Sequence, residues 1–450
     1  MPAVARALGA ASHGNLTQSM VSRGTTQQSS APYNRRIVLD VIRRQGSISR
    51  KDIVDQVSLS PQTVANITND LETIGLIVAK RVTGAPAGGS LAGRSVAKSR
   101  GRGQPPIAFE LNANAGHSIG ISLEPGHLSA ALVNLVGEVV GRREVDVDTH
   151  DQRRALAAMV RLVNELRRRP GTAERIWGIG VALPGPLVQT DISFIGPTVL
   201  EGWKDLSVFD ELRDTTRLQV FYSVDSVAGA LGETLFGVAR SLDDFFYMHF
   251  GLGLGGTLVV NRSAYRGAAG NATEIGHIPV VPGGKPCYCG NAGCLERYLS
   301  LHSLAEALGI AGEPDRDAQI AARLERNDDP VLLSWCRQAA DRLRDAICVI
   351  ENMLDPRAIV IGGSAPKTLV ERLLALAQPL HTSVRGGVAQ PTERVLLSER
   401  QEDSSILGAA VLPIYDLLSP RFEVLQQDRR TETDVGDLMG QRATPRAGRL

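Results

Sequence analysis

The sequence has no run of apolar residues long enough to cross a lipid bilayer, and its N-terminus lacks a basic-then-apolar leader. These absences predict a protein that neither spans a membrane nor is exported. Cysteine is also scarce, with five in 450 residues, three of them in one short stretch. Such usage fits the reducing cytoplasm better than a disulfide framework. The hydrophobic content of 43% is sufficient for two or three packed domains.

The net charge is close to zero, at +1, but the charges are distributed unevenly along the chain. Residues 1–106 contain 14 Lys and Arg against 5 Asp and Glu, whereas residues 107–450 contain 35 against 43. A basic N-terminal part on an acidic body predicts that the N-terminal part contacts a polyanion.

Helix signals begin after residues 1–33, whose Ser, Ala, Gly, Thr and Gln content predicts a disordered tail. The expected N-caps are Asn34 for a helix over 35–44, Ser49 for a helix over 50–57, and Ser60, followed by Pro61, for a third helix. Gly75 ends the third helix, and a strand over 76–78 follows. This order predicts a winged helix-turn-helix domain over residues 34–80.

The third helix carries short polar side chains on the face opposite its apolar stripe. We predict that they reach base edges in the DNA major groove while nearby basic residues contact the phosphates. The predicted base-contacting residues are Gln62, Thr63, Asn66 and Asn69, and the predicted phosphate-contacting residues are Arg35, Arg36, Arg50 and Lys51. The alternative is a small helical module that binds protein instead of DNA.

The segment over 81–106 contains basic residues but no acidic residue, with Gly, Ala and Ser in much of the remainder. We predict a basic wing or linker. Its end, from Arg100 to Pro106, would lie along a minor groove or on phosphates. A solvated flexible linker is the alternative, and a segment that orders only on DNA would combine both.

From residue 107 to residue 420 the sequence alternates between strand and helix signals. Two successive sets of strands followed by helices indicate a duplicated α/β fold with a cleft between two lobes. The expected strands are 118–123, 128–135, 138–144, 177–183, 218–224, 245–251, 255–260 and 358–361, and the expected helices are 152–168, 226–236, 301–308, 315–326 and 330–354. Residues 421–450 are polar and are predicted to form a second disordered tail.

One histidine and three cysteines form the most specific motif in the chain. His277 lies ten positions before Cys287, and Cys289 and Cys294 follow closely. One imidazole and three thiolates are the ligand set of a closed structural zinc site, which has no position for a catalytic water. The Pro- and Gly-rich spacer predicts a turn that returns the histidine to the thiols. The alternative is three buried structural cysteines beside an ordinary core histidine.

Two acidic residues, Glu274 and Glu296, flank this cluster, and we expect them to face a polar ligand because a thiolate-rich zinc does not prefer carboxylates. The runs Glu-Ile-Gly-His at 274–277 and Cys-Tyr-Cys-Gly-Asn-Ala-Gly-Cys-Leu-Glu at 287–296 resemble the signature of the ROK family of repressors, open reading frames and sugar kinases. The resemblance extends over residues 107–420. It implies an actin-like, sugar-kinase fold. The expected fold class is therefore α/β, a winged helix-turn-helix followed by a two-lobed domain with sugar between its lobes.

The resemblance also implies roles for individual residues. The implied zinc ligands are His277, Cys287, Cys289 and Cys294, and the implied sugar-contacting residues are Asp225, Glu274, His277 and Glu296. In the kinases of the family, the residue that corresponds to Asp225 is the base that takes a proton from the attacking sugar hydroxyl.

Two departures from the kinase pattern predict that catalysis has been lost. Residues 122–127 read Ser-Leu-Glu-Pro-Gly-His, where the kinases have a phosphate loop of Asp-x-Gly-Gly-Thr-Lys. Pro125 has no N–H to donate to a phosphate, and Glu124 would repel one. Valines replace both asparagines of the kinases' Asn-Asp-Ala-Asn run around Asp225. Phosphoryl transfer needs positioned, charge-neutralised phosphates, so we predict no kinase activity and a vestigial Asp225.

Three functions remain to be compared. The first is a DNA-binding regulator, a repressor of sugar metabolism genes, whose zinc-braced body senses a sugar or phosphosugar and which binds a double-stranded operator as a homodimer or dimer of dimers. The second is an ATP-dependent sugar kinase with a fused DNA-binding head. The third keeps the head but gives the body only a dimer or protein contact. The residues at 122–127 favour the first over the second.

Overall fold

The computed structural model describes residues 31–81, 107–169, 175–185, 196, 198, 200, 203, 206–313, 315–385 and 393–420. The predicted linker, beyond its first residue, and the predicted C-terminal tail lie outside the described residues, as do the first 30 residues of the predicted N-terminal tail. No helix in the described ranges is long and apolar enough to cross a membrane.

The N-terminal head contains three helices and a small antiparallel sheet. Its elements are α1 (Ala31–Gln45), β1 (Ile48–Ser49), α2 (Arg50–Gln56), α3 (Pro61–Thr73), β2 (Ile77–Arg81) and β3 (Ile107–Leu111). The Ser49 and Ser60 caps are confirmed, because their side chains accept hydrogen bonds from the N–H groups of Asp52 and Thr63. The predicted Asn34 cap is wrong: α1 begins three residues earlier, and Asn34 is buried within it.

Strand β3 belongs to the sheet of the head, in which the strand order is β1-β3-β2. Phe109 pairs with Ile48 on one side and with Ala79 on the other. The head therefore extends to Leu111, whereas the sequence places its boundary at residue 80 and assigns residue 107 to the body. The two outer strands both pair with β3, and Ala108 and Phe109 of this strand are buried in the head.

The first lobe is built on a five-stranded mixed sheet. Its strands are β4 (His117–Glu124), β5 (His127–Asn134), β6 (Val139–Asp146), β7 (Ile176–Leu183) and β8 (Val220–Val224), and its helices are α4 (Gln152–Arg167) and α5 (Val208–Thr216). The strand order is β6-β5-β4-β7-β8, with β4, β7 and β8 parallel. The carboxyl ends of β4 and β8 therefore meet at one edge of the sheet, where α/β folds bind ligands.

The second lobe repeats this arrangement. Its strands are β9 (Phe245–Phe250), β10 (Leu254–Val260), β11 (Ser263–Ala264), β12 (Ile359–Gly362) and β13 (Val395–Leu397), in the order β11-β10-β9-β12-β13. The remaining helices are α6 (Asp225–Leu235), α7 (Leu301–Ala307), α8 (Arg316–Arg326), α9 (Pro330–Leu354), α10 (Lys367–Leu376) and α11 (Ser404–Leu418). An antiparallel meander joined to parallel strands occurs in both lobes, which confirms the predicted duplication.

Helices α6 and α11 cross in direct backbone contact. A Cβ atom added to Gly408 would lie 2.4 Å from the carbonyl carbon of Ala228, and one added to Gly232 would lie 3.2 Å from the Cα of Gly408. Only glycine permits such an approach. Apolar side chains of α6, α11 and the head form one continuous buried cluster, so the head packs on this helix pair.

Candidate metal centre and ligand cleft

The four predicted metal ligands come together in the second lobe. The ligand atoms of His277, Cys287, Cys289 and Cys294 all lie within 4.8 Å of one another. The Sγ atoms of Cys289 and Cys294 are 3.6 Å apart, and the Sγ of Cys287 lies 3.6 Å from the Nδ1 of His277. Two sulfurs on one tetrahedral zinc are separated by about 3.8 Å, whereas a disulfide places them about 2.05 Å apart. The three cysteines are free, so the geometry fits a metal ion.

Tight turns bring the thiols back to the histidine. His277 ends a 3-10 turn over Ile275–His277, and an antiparallel bridge pairs Pro279 with Cys294. Gly293 is required between them because its φ is 81° and a Cβ there would lie 1.7 Å from a backbone carbonyl oxygen. The spacer therefore folds as its Pro and Gly content predicts.

Glu296 connects the metal cluster to the start of β10. It lies in a 3-10 turn over Leu295–Arg297, directly after Cys294. Its Oε2 accepts a hydrogen bond of 2.8 Å from the backbone N–H of Leu254. Burial raises the pKa of the Glu296 carboxyl group. A metal ion that fixed this turn would therefore also fix the position of the carboxylate.

Glu274 follows a strained residue. Thr273 has a φ of 68°, which is unusual for a β-branched residue, and its hydroxyl donates a 2.9 Å hydrogen bond to the carbonyl of Gly256. Strain of this kind costs about 1–3 kcal/mol and persists where the surrounding structure enforces it. Glu274 is exposed as a residue, yet partial desolvation of its carboxyl group raises its pKa.

Asp225 begins α6 at the carboxyl edge of the first sheet. Its Oδ1 accepts a 2.6 Å hydrogen bond from the N–H of Ser226, and its Oδ2 lies 3.6 Å from the Nε2 of His249. After burial, which is the main cause, the charge of Asp225 contributes to the raised pKa of both Glu274 and Glu296. The three acids predicted to contact a sugar therefore share one electrostatic environment.

Glu124 ends β4 at the carboxyl edge of the first sheet, and His249 lies 3.6 Å from Asp225; neither was predicted from the sequence as a ligand-facing residue. Burial raises the pKa of Glu124, with opposing contributions from His249 and Asp225. His249 lies in the apolar run of β9 and was therefore indistinguishable from a core residue. The available signal was position, because both residues lie near the carboxyl ends of strands, where α/β sheets bind their ligands.

The four predicted base-contacting residues lie on α3. Gln62, Asn66 and Asn69 are exposed, and the Nε2 of Gln62 donates a 2.9 Å hydrogen bond to the Oδ1 of Asn66. Thr63 is half-buried, and its hydroxyl lies 2.8 Å from that of Ser60, at the N-cap of the helix. This face presents amide groups suited to base edges.

Two of the predicted phosphate-contacting residues, Arg50 and Arg36, form contacts within the protein, and only Arg36 is buried. Arg50 donates a 2.8 Å hydrogen bond to the hydroxyl of Thr68, bonds to Asn69, and stacks over the Phe109 ring at 4.9 Å. It therefore braces α2 against α3 and β3.

Arg36 is buried on α1 and donates to the carbonyl oxygens of Asp416 and Ser419, at 3.0 and 3.5 Å. A phosphate-contacting role for Arg36 is inconsistent with this placement, because the guanidinium is used to join the head to the body. Arg35, also on α1, is half-buried, and Lys51 is exposed on α2.

Comparisons with known proteins agree with both parts of this architecture. The ROK family profile matches residues 118–415, and a winged helix-turn-helix DNA-binding profile matches residues 33–78. The xylose repressor of Caldicellulosiruptor bescii is 27% identical over 86% of this chain and 96% of its own length. A glucokinase of Halalkalibacterium halodurans is 29% identical over 65% of this chain and 94% of its own length. The crystal structure of a ROK family transcriptional regulator, a homologue of the Escherichia coli MLC protein, is 26% identical, with a TM-score of 0.64 over 89% of this chain and all of that one.

Proposed function

This chain belongs to the ROK family, and from that membership and its winged helix-turn-helix head we propose that it is a transcriptional repressor of sugar metabolism genes. Its body would sense a sugar and would need zinc to shape the sensing cleft. The observation that carries the proposal is the joint between head and body, because it links the DNA-binding helices to the helix that begins in the cleft.

Helix α6 connects the two sites directly. Its first residue, Asp225, lies in the cleft. The carbonyl oxygens near its other end, of Thr234 and Leu235, accept hydrogen bonds from Arg262 and Arg43. Arg43 is a residue of α1 in the head. A sugar that displaced Asp225 would therefore displace the element on which the head is fixed.

Arg262 is the centre of this joint. Besides its 2.9 Å bond to Thr234, it donates to the carbonyls of Arg240 and Leu242 at 3.0 and 3.1 Å. Its Nε lies 3.8 Å from the Oδ2 of Asp40, in the head. Desolvation lowers the pKa of the Arg262 guanidinium to about 10, so the group keeps its charge at neutral pH.

Asp40 completes the joint from the side of the head. Its Oδ1 bonds to Arg43 at 2.5 Å. Desolvation acts to raise the pKa of Asp40, but the charges of Arg43, Arg262 and Arg44 outweigh it and hold that pKa below its usual value. A buried ion pair of this kind is costly to break, so the head and the body are expected to move as connected parts.

An effector changes DNA affinity only by binding one conformation of the protein better than another. In this proposal, sugar between the lobes changes their closure, and α6 and Arg262 carry the change to α1. The repressor would act as a homodimer or a dimer of dimers, because two helix-turn-helix heads read the two halves of a palindromic operator. Lobe closure would then alter the spacing of the heads.

A sugar kinase with a fused head is the second candidate, since Asp225 is retained at the start of α6. The residues at the kinase phosphate-loop position argue against kinase activity. Glu124 and Pro125 occupy the position of the kinase phosphate loop, and Pro125 has no backbone N–H. Phosphoryl transfer needs hydrogen-bond donors and cations at that position. A coupled assay with ATP and a panel of hexoses and N-acetylated sugars decides between the two. Turnover that Asp225→Asn abolishes would establish the kinase.

The head is tested by comparing two substitutions. Asn66→Ala should reduce the discrimination between preferred and altered operator sequences by about 1–3 kcal/mol, because it removes an amide at the base-facing surface of α3. Arg35→Ala should weaken binding to all sequences alike and lower the salt dependence by about one phosphate contact. Gel shifts at two salt concentrations measure both effects.

Arg326→Ala serves as the control in this experiment, because it removes an exposed arginine from α8 in the body. It should leave both the affinity and its salt dependence unchanged. Identical behaviour of the Asn66 and Arg35 variants would contradict the roles assigned to the two residues.

A further inference from the structure

A cavity of about 520 Å³ lies in the second lobe, between the end of α9 and the segment over residues 265–278. Phe246 and Leu258, which are paired residues of β9 and β10, line it from the sheet. The wall formed by α9 is apolar and consists of Val349, Ile350, Met353 and Leu354. Cavities of this size and lining are those that bind small organic molecules.

This cavity is separate from the metal centre and shares only Glu274 with the residues proposed to contact sugar. Among the described residues that line it, none is a metal ligand, and neither Asp225 nor Glu296 is present. The wall opposite α9 contains a closed turn, in which the N–H of Ala272 donates a 3.3 Å hydrogen bond to the carbonyl of Arg266. The cavity is therefore a distinct feature of the lobe.

Large apolar side chains surround the mouth of the cavity. Met353 is 73% exposed, Tyr265 is 55% exposed, and Val349 is also exposed. Removing apolar surface from water is favourable in proportion to its area. A ligand with an apolar body therefore gains free energy both from the buried lining and from these side chains at the mouth.

Asn271 gives the cavity a polar group that points to the chemistry of a ligand. The residue lines the cavity, and its Oδ1 is buried without a hydrogen-bond partner among the described residues. Buried side-chain oxygens are usually hydrogen-bonded, because a buried acceptor without a donor costs free energy. A ligand that carries an N–H or O–H group would satisfy this oxygen.

The charge of the lining sets a second condition. Glu274 is the only charged side chain among the described residues that line the cavity, and none of them is a lysine, an arginine or a histidine. An anionic ligand needs cations or N–H donors to replace its hydration. The oxygens of Asn271 and Glu274 accept hydrogen bonds and offer an anion nothing in return. The lining therefore disfavours a negatively charged ligand.

We propose that this cavity is a second ligand site, for an apolar small molecule that carries a hydrogen-bond donor and no negative charge. The apolar body packs between the sheet and α9, and the donor bonds to the Oδ1 of Asn271. The site goes beyond the proposed function and does not depend on sugar sensing. Its ligand would contact Thr273 and Glu274, which precede the metal ligand His277.

Isothermal titration calorimetry of the full, zinc-loaded chain tests this assignment with three probes that share one ring system. 2-Naphthol should bind with a stoichiometry of one per chain. 2-Methoxynaphthalene, which lacks the donor, should bind about 3- to 10-fold more weakly. 2-Naphthoate, which is an anion, should bind at least about 10-fold more weakly than 2-naphthol. Asn271→Leu should weaken 2-naphthol by about 3- to 10-fold and leave 2-methoxynaphthalene unchanged.

Val349→Trp tests the location of the site, because a large ring at this exposed position of α9 fills the mouth of the cavity. It should abolish the binding of all three probes. Val331→Trp is the matched control, since Val331 is an exposed valine near the start of the same helix and does not line the cavity. It should leave each affinity unchanged.

The assignment is overturned if 2-naphthol does not bind, or if it binds equally well to the Val349→Trp variant. It is also overturned if 2-naphthoate binds as tightly as 2-naphthol, or if Asn271→Leu weakens both neutral probes alike. Size-exclusion chromatography provides a further check. Failure of 2-naphthol to bind, together with a dimer that Val349→Trp dissociates, would show that a second copy of the chain covers the mouth instead.

Discussion

Cys289→Ser is expected to abolish zinc binding and to lower the free energy of unfolding by about 4 kcal/mol or more, a loss typical of a removed structural metal. Three remaining ligands cannot close a tetrahedral site, and a serine hydroxyl is a poor substitute for a thiolate. The effect should extend beyond the loop. Glu296 lies two residues after Cys294 and bonds to Leu254, so loss of the metal should also weaken sugar binding.

Metal analysis of the purified protein and denaturant unfolding measure these two effects. Cys348→Ser is the matched control, because Cys348 is a free, half-buried cysteine outside the cluster. It should retain the metal and most of the stability. The metal assignment is wrong if the wild-type protein, purified without chelator, contains no zinc, or if Cys289→Ser retains it.

Arg262→Met is expected to cost about 3–5 kcal/mol of folding free energy, because it removes one partner of a buried charge pair and leaves three carbonyls without their donor. In the variant protein that still folds, the DNA affinity should also respond less to sugar. Its head would no longer be fixed to the end of α6, so DNA affinity should change less when the cleft is occupied.

Arg240→Met is the control for this effect, since the side chain of Arg240 is exposed and only its carbonyl takes part in the joint. The double variant Arg262→Met/Asp40→Asn should lose less free energy of unfolding than the two single variants lose together. The coupling energy should be about 0.5–3 kcal/mol. Denaturant unfolding and gel shifts with and without sugar provide the readouts.

Arg262→Gly distinguishes the stabilising contacts of the Arg262 side chain from the backbone strain at this position. Arg262 has a φ of 64°, at the second position of a two-residue hairpin turn after Asn261, where glycine is favoured. If the arginine were only a strained turn residue, glycine would stabilise the protein by about 1 kcal/mol. Because the side chain also holds the joint together, we expect a net loss of stability, and a gain would contradict that role.

Local signals were sufficient for much of the fold. The Ser49 and Ser60 caps occur as predicted, and α9 has the predicted bounds, from Pro330 to Leu354. The metal cluster was predictable because its ligands lie close together in sequence. Clustered thiols in a chain otherwise poor in cysteine usually bind metal. These features depend on residues that are neighbours in the chain, so the sequence records them directly.

Features that depend on distant contacts were missed. Helix α11 is apolar on nearly every side and contains Pro413, so it shows neither an amphipathic period nor an uninterrupted helix signal. Strand β3 belongs to the head only through its pairing with β1 and β2. Arg36 looked like a DNA contact because nothing in its local sequence reveals the carbonyls of α11 and the residue after it, to which it bonds.

The central claim is that sugar in the cleft controls the DNA affinity of the head. It is tested most directly by fluorescence anisotropy of the full chain on a DNA fragment selected by its own binding, at fixed salt, with and without D-xylose or D-glucose. At least one of these sugars should weaken DNA binding by about 5- to 150-fold, the usual range of allosteric coupling. A sugar that binds the body by calorimetry but leaves the DNA affinity unchanged would contradict the claim.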